Sequence, residues 1–90
     1  MNNTRRRKIA SIMADVEKLQ QQMDSLLERI EEVVEQKQDA LDNLPESLQD
    51  SERADVMACA VENLDEARAE VEGIKESLDN VSGYLEEAKG

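Results

Sequence analysis

The chain has 90 residues, enough for one domain, and a formal net charge of −11. It contains no His, Trp or Phe, and a single Tyr and a single Cys. This composition removes the commonest general base and transition-metal ligand, rules out an internal disulfide framework, and leaves a single aromatic side chain, too few for a thick core.

Residues 1–7 are predicted to be a disordered basic tail. Met1, Asn2, Asn3 and Thr4 are polar, and Arg5, Arg6, Arg7 and Lys8 place four cations where a helix dipole would favour anions. No apolar segment follows the cluster, so it does not read as a secretory signal. No stretch of about eighteen apolar residues exists, so no membrane span is expected. The cytoplasm is the expected location.

Helix 1 is predicted over residues 8–43, a stretch without Gly or Pro and rich in Leu, Glu, Gln, Lys and Ala. Ile9, Val16, Met23 and Ile30 form one heptad row, and Ile12, Leu19, Leu26 and Val33 a second row three residues later. From Leu27 onward a third row joins, made of Leu27, Val34 and Leu41. Lys37 falls in the first row, where its stem is expected to pack and its ammonium to reach outward toward acids such as Glu62.

Pro45 disfavours helix at Leu44 and ends helix 1. Residues 44–51 are predicted as a short connector, with Ser47, Asp50 and Ser51 all competent to cap the next helix. Helix 2 is predicted over 51–88, softened by Gly73 and Gly83. Its rows are Met57, Leu64, Val71, Leu78 and Leu85, then Ala60, Ala67, Ile74, Val81 and Ala88. Near the connector, Val56 to Val61 is apolar all the way round.

Two helices of similar length joined by so short a connector pack as antiparallel neighbours. The expected fold is all-α: a long two-helix hairpin, or coiled coil, forming one domain over residues 8–90. A hairpin buries only one side of each helix, so self-association to a homodimeric four-helix bundle is expected to cover the rest.

The pattern points to binding, with no catalytic, cofactor or metal residues assigned. Cys59 sits between Ala58 and Ala60 and has no His to activate it, so it reads as a small buried apolar side chain. Glu28, Glu31, Glu32 and Glu35 on helix 1, and Glu62, Asp65, Glu66 and Glu70 on helix 2, are spaced by three and four. They read as solvated acidic faces, since bundle metal sites add a Glu-x-x-His motif that is missing here. The acidic body is unsuited to nucleic acid and suited to a basic protein surface. Partner contacts are expected from Val56, Cys59 and Asn63, with Leu27, Val34 and Leu41 shared between core and interface. Tyr84 either covers the edge of the core or anchors a partner.

The segment Asp42-Asn43-Leu44-Pro45-Glu46-Ser47-Leu48-Gln49-Asp50-Ser51-Glu52, with Ala60-Val61-Glu62-Asn63-Leu64 and Tyr84-Leu85-Glu86-Glu87-Ala88, resembles small acidic coiled-coil proteins of bacteriophages and mobile elements of Gram-positive bacteria. The resemblance spans about residues 30–88 and carries over no functional residues. It implies a bacterial host cell, and a regulator or inhibitor of a host nucleic-acid-handling or defence protein, in some cases by mimicry of DNA charge. A structural scaffold of a phage or mobile element is the alternative it implies.

Overall fold

Two long helices account for most of the chain. The computed structural model describes residues 2–90. Helix α1 runs Asn3–Asp42 and helix α2 runs Glu52–Lys89, with a single 3-10 turn over Glu46–Leu48 between them. The helices lie antiparallel and side by side, in a rod of 70 × 15 × 12 Å.

Helix α1 starts five residues earlier than the sequence suggests, and residues 3–7 are helical. The Asn2 side chain accepts a hydrogen bond from the Arg5 backbone N–H at 2.9 Å, satisfying one of the free donors of the first turn. Arginine and lysine are good helix formers, and extending an existing helix gains one hydrogen bond per residue fixed. These gains outweigh the unfavourable placement of cations at the dipole's positive end. Met1, the first residue of the expected tail, lies outside the described residues.

The connector is held by backbone bonds, by the Gln49 side chain donating to Leu44 O, and by one serine. The Asn43 N–H donates to Asp39 O at 3.0 Å and closes α1. Pro45 O then accepts from Leu48 N–H at 2.8 Å. Of the three candidate caps for α2, Ser51 takes the place. Its backbone is extended, its Oγ donates to Leu48 O at 2.5 Å, and the same oxygen accepts from Ala54 N–H at 3.3 Å.

The first heptad row of each helix faces the other helix, as expected, but the second row does not. On α1 the seam is completed by Met13, Gln20, Leu27 and Val34, four residues after the first row. Ile12, Leu19 and Val33 are 50%, 45% and 39% exposed. On α2 the seam is completed by Val61, Arg68, Lys75 and Ser82, while Ile74 and Val81 stand outside. Lys37 is exposed, and the neighbouring Gln38 takes the half-buried position. Among the described residues only Val16, Ala54 and Val61 are buried, as befits a pair of helices that touch along one line.

Candidate functional site

The hairpin has two unlike faces, because positions three and four residues after the first row point to opposite sides of the seam. One groove is lined by Ala10, Met13, Ala14, Glu17 and Gln20 of α1 with Ser82 and Lys89 of α2. Polar bonds cross the seam on this side. Gln20 Nε2 donates to Asp79 Oδ1 at 2.5 Å, and Lys75 Nζ meets Asp24 Oδ1 at 2.5 Å. Further along α2, Arg68 pairs with Asp65 at 3.1 Å and Lys89 with Glu86 at 3.8 Å. The hydrogen bond to Asp24, reinforced by that carboxylate's charge, holds the Lys75 ammonium above its ordinary pKa of 10.5.

The opposite groove is apolar. Leu26, Arg29, Ile30 and Val33 of α1 meet Leu64 of α2 along it. The displaced rows lie on this side: Ile12, Leu19, Leu26 and Val33 on α1, with Ala60, Ala67, Ile74, Val81 and Ala88 on α2. These residues are visible in the sequence as apolar heptad rows. Leu26 and Ala60 are half-buried and the others exposed; that exposure was missed because the sequence pattern does not say which of two adjacent rows closes the seam.

At the connector end, the sequence candidates Val56, Cys59 and Asn63 come together. With Ala60, Glu52 and Asp55 they line a shallow hollow on the outside of α2. Val56 is 64% exposed, and Cys59 is a free, exposed thiol. The expectation of a packed apolar Cys59 is therefore corrected: its row points away from α1, where no side chain covers it. Leu27, Val34 and Leu41 are half-buried in the seam and lie apart from the hollow, so the structure does not bring them to the same place. Tyr84 is 77% exposed near the free ends and does not cover the core.

Of the acidic candidates, Glu28, Glu31, Glu32, Glu35, Glu62, Glu66 and Glu70 are exposed, and Asp65 is half-buried beside Arg68. Among the described residues, no three Cys, Asp or Glu side chains are gathered as a metal ion would require. No described helix is long and apolar enough to cross a membrane. Comparison of the chain with protein-family models, with curated proteins and with solved structures finds no match.

Proposed function

We propose that the protein is a non-enzymatic interaction module that docks onto a basic protein surface with its connector end. The observation that carries this reading is the hollow at Val56. It has an apolar floor of Val56, Cys59 and Ala60 and an acidic rim of Glu52 and Asp55. An exposed apolar centre within a polar rim is the common anatomy of a protein contact, and the rim and net charge select a basic partner. The specific form proposed is a phage- or mobile-element-encoded regulator or inhibitor of a bacterial nucleic-acid-handling or defence protein. The outer carboxylates Glu28, Glu31, Glu32 and Glu35 would then occupy a basic channel.

The test is affinity capture from bacterial lysate with mass spectrometry, run in parallel with wild type and Val56→Glu. A protein held by wild type and lost by Val56→Glu supports docking at the hollow. Equal capture by both chains refutes it. Charge mimicry further requires that retention fall steeply as salt rises. The length of the exposed apolar face also fits a structural scaffold, which an open-ended series of assemblies in sedimentation would favour.

A further inference from the structure

The apolar face is a surface with an assignable occupant. We infer that a second copy of this chain packs on it head to tail, giving an antiparallel four-helix bundle.

Size comes first. About an axis near Gln22 and Ile74 two copies overlap over roughly 50 Å of a rod 70 Å long and 15 Å wide, a footprint of about 750 Å², close to the roughly 800 Å² per partner of an ordinary stable interface. The apolar rows of the face run from Ile12 to Val33 on α1 and from Ala60 to Ala88 on α2.

The rows are close to symmetric about their own middles, and this favours a second copy over an unrelated partner. On α1, Leu19 and Leu26 flank the midpoint, with Ile12 and Val33 one heptad beyond on either side. On α2 the row centres on Ile74, with Ala60 and Ala88 at its two ends. A two-fold axis across the face near Gln22 and Ile74 sets Leu19 on Leu26 of the other copy, Ile12 on Val33, and Ile74 on itself. The bonds Gln20–Asp79 and Lys75–Asp24 place these two midpoints within one helical turn of the same level.

Charge makes the same selection. The row bordering the face on α1 is Lys8, Asp15, Gln22, Arg29 and Gln36. Asp15 and Arg29 stand one heptad either side of Gln22, so the antiparallel copy pairs Asp15 with Arg29 twice. On α2 the bordering row is Val56, Asn63, Glu70, Ser77 and Tyr84. In a chain with 22 acidic residues, these two borders hold only Asp15 and Glu70, balanced by Lys8 and Arg29. Two copies therefore meet without the repulsion that any other face would impose. The Arg5–Lys8 cluster of each copy lies opposite the segment of the other that holds Asp39, whereas parallel packing would stack the two clusters together. The exposed Tyr84 ring gains a place over Asn63 of the second copy.

Sedimentation equilibrium of the full chain tests this directly. The expected mass is twice 10.2 kDa at micromolar concentration. Asp15→Arg alone, or Arg29→Asp alone, turns both pairs repulsive and weakens the dimer about tenfold or more, and the combined exchange restores it. Both residues are exposed, so helicity by circular dichroism stays unchanged in the singles. Gln22→Cys in a Cys59→Ala chain forms a disulfide-linked dimer under mild oxidation, because the two-fold axis brings the Gln22 positions together. A wild-type monomer at 100 µM, a dimer indifferent to the exchange, or a dimer without the Gln22→Cys cross-link overturns the inference. It does not rest on docking at Val56, which lies beyond the overlap of the two copies, so Val56→Glu leaves the dimer intact.

Discussion

Lys75 Nζ, on α2, lies 2.5 Å from Asp24 Oδ1, on α1, and ties the middles of the two helices together on the polar side of the seam. Its pKa is raised by the hydrogen bond to Asp24 and by that carboxylate's charge. A base whose folded pKa exceeds its unfolded value contributes its stability in full below the unfolded pKa and loses it as pH rises through the folded one. The contribution is thus constant at neutral pH and disappears above pH 10.5. Thermal melts followed by circular dichroism should show a fall in Tm there that is shallower in Lys75→Met. Identical pH profiles for the two chains would refute the coupling.

The buried valines are the places where the seam is most sensitive. Val16 and Val61 are 7% and 9% exposed, and no larger side chain is fully buried among the described residues. Either Val→Ala change is expected to cost about 2 kcal/mol, from lost burial and the gap left behind. Val56→Ala, at an exposed site, is expected to change stability by no more than about 0.5 kcal/mol. Urea unfolding distinguishes these outcomes through the transition midpoints.

Gly73 and Gly83 sit inside α2, and a Cβ built on either meets nothing within 4 Å. Their backbones are helical, so alanine removes unfolded-state freedom without strain. Each Gly→Ala change is expected to stabilise the hairpin by about 1 kcal/mol. The double variant should show the summed effect, since the sites share no side-chain neighbour. A loss of stability in either single variant would contradict the open surroundings.

Ser51 closes the connector and opens α2 with one hydroxyl, donating to Leu48 O and accepting from Ala54 N–H. Ser51→Ala is expected to cost about 1 kcal/mol, and Ser51→Asp should recover most of the cap because its carboxylate also accepts from the first turn. Thermal melts of the three chains decide this, with a difference of about 5 °C expected between serine and alanine.

Much of this architecture could be read in the residues themselves. Pro45 marked the turn, and the rows of Ile9 and Met57 marked the sides that meet. The choice of second row could not be made from apolarity. Ile12, Leu19 and Ile74 are more hydrophobic than Gln20, Arg68 and Lys75, yet the latter face the seam. Their long stems cover apolar surface while their heads reach Asp79, Asp65 and Asp24. Arg68 finds Asp65 on its own helix, but whether Gln20 and Lys75 find partners depends on the register between the helices, which one helix's periodicity does not contain. The candidate hollow was legible because Val56, Cys59 and Asn63 share one side of α2 at helical spacing. Tyr84 was not settled, since it precedes Leu85 by one position and borders the apolar face, whose exposure one helix's periodicity does not give.

The connector brings sequence neighbours together first: the Gln49 side chain and Leu44 O meet across 5 residues, whereas Gln20 and Asp79 meet across 59. Such a fold resembles a zip with its slider at Pro45. Closure can spread rung by rung toward the termini, each rung adding little loop entropy. Amide hydrogens beyond Val16 at one end of the rod, and beyond Leu85 on the returning strand of the zip, should therefore exchange with solvent sooner than those beside Val61.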